Sequence, residues 1–244
     1  AAIVSPHHVK AVKPLPSRKM NKEVPLLDCF VAPCKEGCPI SQDITTYLML
    51  VNAGKYEEAM KVITEKNPLP FITGTICAHN CMSKCTRNFY DEPVHIRAMK
   101  LEAAENGYEA WLADVTPKPL TEKGKAVVIG GGPAGMAAAY FLRRGGMEVT
   151  LFEQTGSLGG VVRHVIPEFR IPGSSIDKDA EILKAAGVDI QYNTKVESAQ
   201  QLKEQGYGAV IFAVGAYKAG TLKLEAGGTM NALEFLGAFK EKKG

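Results

Sequence analysis

One stretch, Lys125 to Glu153 (KAVVIGGGPAGMAAAYFLRRGGMEVTLFE), constrains the fold more than any other part of the chain. An apolar run from Ala126 to Ile129 enters Gly130-Gly131-Gly132-Pro133-Ala134-Gly135, and a small-residue segment then stops at Gly145-Gly146. A second apolar run, Val149 to Phe152, ends in Glu153. The order predicts a strand, a glycine turn, a helix and a second strand. Gly130 allows the tight turn, Gly132 lets backbone N–H groups approach a pyrophosphate, and Gly135 lets the helix pack close to the strand. The phosphates then meet a helix N-terminus at Pro133-Ala134, where unpaired N–H groups and the helix dipole favour negative charge. Glu153 lies eighteen residues past Gly135. There, next to Gln154, its carboxylate is placed to take both hydroxyls of an adenosine ribose. A 2′-phosphate would meet that charge, so FAD or NAD is expected rather than NADP.

Of the 244 residues, 45% are hydrophobic and 23% charged, the balance of a folded chain rather than a disordered one. The net charge of +3 comes from basic residues spread along the sequence, which gives no reason to expect nucleic acid. No apolar run approaches the roughly 18–20 residues a membrane helix needs, and nothing reads as a secretory leader, so a cytoplasmic protein is expected. The sequence begins at Ala1 and ends shortly after a helical segment, which suggests a piece excised from a longer polypeptide.

The six cysteines form two groups, Cys29, Cys34 and Cys38, then Cys77, Cys81 and Cys85. In a reducing compartment, grouped cysteines point to metal ligation rather than disulfides. The first group reads C-x4-C-x3-C-P, and a proline directly after a cysteine is a ferredoxin-like feature. Paired C-x2-C motifs of structural zinc are absent, so iron-sulfur is the better assignment. If the second group is helical, its spacing of four sets the outer cysteines about 12 Å apart, wide for one cubane. Cys77 and Cys85 are then expected to serve different clusters, each completed from the first group.

Residues 1–25, with Pro6, Pro14, Pro16 and Pro25, read as an extended arm. Residues 26–112 read as a small helical domain. Ser41 caps a helix that ends near Gly54, Tyr56 to Glu65 form another before Asn67-Pro68-Leu69-Pro70, and Pro93 to Leu112 a third, with a weak point at Gly107. Residues 113–124 are a linker, and 125–244 the first part of a nucleotide domain. In it, Gly156 to Gly160 form a second glycine loop and 177–186 a helix. A strand at Val188 to Tyr192, a helix at Ala199 to Gln205 and a buried strand at Ala209 to Val214 follow. The fold class is thus α + α/β, a small helical iron-sulfur domain followed by a partial Rossmann-like domain.

With the cysteine groups, Asn67-Pro68-Leu69-Pro70, the Gly130 turn, Leu158-Gly159-Gly160 and Ile166-Pro167-Glu168-Phe169-Arg170 in order, the chain resembles the small-chain module of glutamate synthase. The same module opens dihydropyrimidine dehydrogenase. Thr73-Gly74-Thr75-Ile76-Cys77 and Cys85-Thr86-Arg87-Asn88 are most similar to the selenate reductase type of this group. The resemblance implies two [4Fe-4S] clusters, one on Cys29, Cys34 and Cys85 and the other on Cys38, Cys77 and Cys81. It also implies an FAD domain, with an NADPH domain inserted beyond Gly244. Gly130, Gly132, Gly135 and Glu153 would hold the ADP half of FAD, with Gly159, Gly160 and Arg170 near the rest. Val196 would sit by the adenine, and Ala213 and Gly215 by the pyrophosphate. Two positions depart from the pattern: Leu26 stands where the family has a further cysteine, and Lys100 where it has Glu or Gln. The expected function is that of an NAD(P)H-dependent flavin and iron-sulfur oxidoreductase fragment, its partners being the NADPH-binding remainder and an electron-accepting subunit. The alternative is a docking module with degenerate clusters.

Overall fold

The structure, a computed structural model, describes residues 31–89, 91–121, 124–217, 228 and 230–243. The expected arm, Leu26 and Cys29 lie outside the described residues. Helices come first: α1 (Pro33–Glu36), α2 (Ile44–Asn52), α3 (Tyr56–Thr64), α4 (Pro70–Ile76), α5 (Asn80–Ser83) and the long α6 (Ile96–Ala113). The order then becomes β1 (Lys125–Ile129), α7 (Pro133–Arg144), β2 (Glu148–Phe152), α8 (Val161–His164), α9 (Gly173–Ala185), β3 (Asp189–Gln191), α10 (Ala199–Glu204), β4 (Tyr207–Phe212) and α11 (Ala232–Lys243). The strands form one parallel sheet in the order β3-β2-β1-β4. Ile129 stands level with Phe152 on one side and Phe212 on the other, so three strand ends share one edge.

The helices bring two corrections to the sequence reading. Ser41 does not cap α2; its backbone is left-handed (φ 47°), and Asp43 occupies the cap position without a side-chain bond to the helix N–H groups. Gly107 is not a weak point of α6. A Cβ there would stand 2.4 Å from the Tyr56 carbonyl oxygen, so the missing side chain lets α3 lie against α6.

One apolar core, Ile44, Tyr47, Val51, Ala59, Ile63, Ile96 and Ala103, belongs to the helices alone. A larger core is shared: Met60, Phe71, Ala104, Tyr108 and Trp111 pack in the same cluster as Met136, Tyr140, Leu151, Ile182 and Leu183. The predicted linker thus joins two parts whose apolar interiors are continuous. Arg144 adds a polar tie, its guanidinium donating to the carbonyls of Thr64 and Glu65, each at 3.1 Å.

Candidate functional site

The chain leaves β1 toward β2 on one side, while β4 lies on the other, so a crevice opens where the strand order reverses. A cleft of about 390 Å³ occupies it, lined by the carboxyl ends of β1, β2 and β4 and by the glycine turn. Gly130, Gly132, Pro133, Ala134, Glu153, Gln154, Gly160, Val196, Ala213 and Gly215 all line this cleft. Gly159 supports it from behind, donating its N–H to the Gly131 carbonyl at 2.8 Å. Arg170 is exposed on the surface and is not brought to the cleft.

The glycines divide by cause. Gly130 has φ 105°, and a Cβ there would stand 2.5 Å from the Ala213 carbonyl oxygen; a Cβ on Gly135 would stand 1.9 Å from that of Gly130. Both are required by the fold itself. Gly132 is different: its φ of −72° suits any residue, and a Cβ would meet nothing within 4 Å. Its openness makes sense for a cradle that a ligand fills. Helix α7 begins there without a side-chain cap, leaving its first N–H groups toward the cleft. The residues present fit a dinucleotide.

Glu153 is buried, and its carboxylate serves the protein first. Oε2 accepts from the Gly131 N–H at 2.7 Å, and Oε1 from the Thr155 N–H at 2.8 Å and its hydroxyl at 2.9 Å. A carboxylate has about four acceptor positions, so room remains for a ribose hydroxyl, but the acid also fixes the phosphate turn. Sequence reasoning missed Thr155, His164, Thr194, Lys195 and Tyr217, which also line the cleft. His164 Nε2 lies 3.4 Å from the Thr155 hydroxyl, and burial together with Arg163 pushes its imidazole pKa down. Residues in loops and in a single helical turn carry no periodicity that could have announced them.

Cys77 to Cys85 do not form one helix. Cys77 ends α4 in extended conformation, His79 is left-handed (φ 43°), and Cys81 starts again in α5. A spacing of four along one helix is therefore not what sets these cysteines apart. Cys38, Cys77 and Cys81 line a largely apolar cavity of about 200 Å³ together with Tyr47 and Lys100. Cys34 lies near Cys85, and burial is the main cause raising its thiol pKa, with Cys85 and Cys38 adding to it. The Cys81 thiol is raised first by burial and then by Cys77 and Cys38. Burial and neighbouring thiols thus oppose ionisation of Cys34 and Cys81, an opposition that a bound metal centre would relieve. The five described cysteines are free. No three His, Cys, Asp or Glu among the described residues are placed to hold a single metal ion, whereas a cubane spreads its thiolates over four corners. Lys100 is buried with Nζ 3.8 Å from Cys77 Sγ. Burial lowers its pKa, and Cys77, Cys38 and Cys81 oppose that shift. No helix among the described residues is long and apolar enough to cross a membrane.

Comparison with known proteins agrees with this division of chemistry. Residues 16–110 match the family described as dihydropyrimidine dehydrogenase domain II, 4Fe-4S cluster, and residues 128–192 match the NAD(P)-binding Rossmann-like domain. The chain is 39% identical over 242 residues to the oxidoreductase YgfK of Escherichia coli, covering 98% of this chain and 23% of that protein. It is 34% identical to the NADPH-Fe(3+) oxidoreductase subunit beta of Geobacter sulfurreducens, over 82% of this chain and 30% of that one. It is 32% identical to the glutamate synthase [NADPH] small chain of Mycobacterium tuberculosis, over 86% of this chain and 44% of that one. The chain therefore spans between about a quarter and under half the length of these relatives.

Proposed function

We propose that this chain, a relative of the glutamate synthase small chains with a 4Fe-4S domain and a Rossmann-like domain, is the iron-sulfur and dinucleotide portion of an electron-transfer oxidoreductase. The observation that carries the reading is the apolar cavity at which Cys38, Cys77 and Cys81 meet from separate segments. A second cluster would rest on Cys34 and Cys85, with Cys29 as the third thiolate. FAD would lie in the β1–β4 crevice, its phosphates at the open Gly132 and its ribose at Glu153. When bound, the flavin and the clusters supply two-electron and one-electron chemistry, respectively. The chain's own residues orient these groups: the turn N–H groups hold phosphate, Glu153 locks the turn, and the largely apolar cavity receives the thiolates. No residue is assigned as an acid or base. NADPH, for which two of these relatives are named, would bind in a further part of the polypeptide or on a partner subunit.

Iron, sulfide and flavin analysis of anaerobically purified protein, with its absorbance spectrum, tests the reading. Flavin and cluster bands together support it. Protein that takes up neither on reconstitution would instead be a docking module, the reading that Lys100 at the cavity favours.

A further inference from the structure

Helix α4 begins without a side-chain cap from its own neighbourhood. Buried N–H groups left without acceptors are costly. The acceptors come from the sheet part of the chain. Asp179, on α9 and fully buried, takes the Phe71 N–H on Oδ1 at 3.1 Å and the Ile72 N–H on Oδ2 at 2.8 Å. A buried carboxyl group costs more to desolvate than an apolar side chain of the same size, which points to geometry as its use.

Two features give that geometry a function. Helix α4 is a rod about 10 Å long, with Asp179 bound at its start and Cys77 at its end. Helix α9 also holds α6, the other wall of the cavity. The Tyr108 hydroxyl donates to Glu181 at 2.6 Å, and the Lys178 ammonium stands 4.9 Å from the Phe71 ring centre and 5.4 Å from that of Tyr108. Earlier on α9, Ile176 stands against Gly159, which is bonded to the phosphate turn. One helix thus touches both the cofactor loop and the two helices that flank Cys77.

We infer that Asp179 is a positioning residue that fixes Cys77, and with it the cluster cavity, relative to the nucleotide crevice. Its use in electron transfer rests on the proposed function above.

The test uses the full chain. Asp179→Leu removes both acceptors while filling the space, and Asp179→Asn keeps one. In reduced, metal-free protein, iodoacetamide labelling of each thiol is timed by mass spectrometry. Cys77 should react at least about fivefold faster in the Leu variant, the scale of one net hydrogen bond lost from a local opening equilibrium. The Asn variant should fall between, and Cys34 and Cys85 should keep their rates. After reconstitution with iron and sulfide, the electron paramagnetic resonance signal of one reduced cluster should change. An unchanged Cys77 rate in folded Asp179→Leu, equal acceleration of all thiols, or failure of both variants to fold would each overturn positioning in favour of a purely structural role. The labelling needs neither iron nor flavin. A parent chain that binds neither cofactor would refute the proposed function and leave the labelling result standing.

Discussion

Replacing Gly132 by serine should make the chain more stable and its nucleotide affinity weaker. Gly132 is the N-cap of α7, has ordinary backbone angles, and offers free space in place of a Cβ. Removing a glycine from such a position stabilises by about 0.4–1 kcal/mol through the unfolded state. A serine N-cap adds a few tenths of a kcal/mol over glycine by accepting from the N–H of the second or third helical residue. Together these effects should raise the melting temperature by roughly 1–6 °C for a chain of this size. Those same N–H groups, on Ala134 and Gly135, are the donors a phosphate would use. Losing one hydrogen bond to a charged group costs about 1.5–3 kcal/mol, or about 10- to 150-fold in affinity.

Differential scanning calorimetry of the ligand-free chain and calorimetric titration with FAD read the two quantities separately. Gly135→Ala is the contrasting variant, since its Cβ would stand 1.9 Å from the Gly130 carbonyl oxygen and must damage the fold. If Gly132→Ser binds FAD as tightly as the parent, phosphate does not sit at the start of α7, and the crevice assignment fails.

Glu153→Gln keeps the size of the side chain but places an NH2 against the N–H of either Gly131 or Thr155. It should lose about 1–3 kcal/mol of stability even without nucleotide, read as a lower urea midpoint. Burial pushes the Asp179 carboxyl up to about 8 from 3.8, against the pull of the Ile72 and Phe71 N–H groups and Lys100. The folded state then keeps a proton that the unfolded state releases. Stability should fall by up to about 1.4 kcal/mol per pH unit as pH rises between those two values, and level off above 8. Asp179→Asn, which cannot ionise, should lose that component in denaturation curves taken from pH 5 to 9. Lys100→Glu replaces a buried ammonium beside Cys77 with an oxygen donor and should raise the iron retained per chain after anaerobic reconstitution; unchanged iron would mean that Lys100 does not limit the cluster.

The glycine turn was readable because its requirements are local. Gly130 needs a positive φ (105°) at the turn, and Gly135 lies against the Gly130 carbonyl within the same turn; those two demands leave a spacing in the sequence. Glu153 was found for the same reason, but its bonds to Gly131 and Thr155 were not, since they depend on how two loops fold over each other. Helix α4 was missed because Pro68 and Pro70 read as a stop, whereas Pro70 sits in the first turn, where its missing N–H costs nothing. Sequence reasoning gives Asp179 only as one residue of the helix at 177–186. Its partners lie 107 and 108 positions away, a separation on which no periodic pattern bears.

The shared core alters the expected source of stability in the cysteine-bearing helices. A helical domain of eighty-odd residues would have a small interior, and clusters would be needed to hold it together. In the structure, Phe71, Ala104, Tyr108 and Trp111 find apolar neighbours on the sheet side, in a core with Leu151, Ile182 and Leu183. Packing against the sheet supplies part of what metal would otherwise have to supply. The arrangement also suits electron transfer, which depends steeply on the separation between donor and acceptor. Two parts joined only by a flexible linker would sample many separations, whereas a common interior with the Asp179 and Arg144 ties holds one.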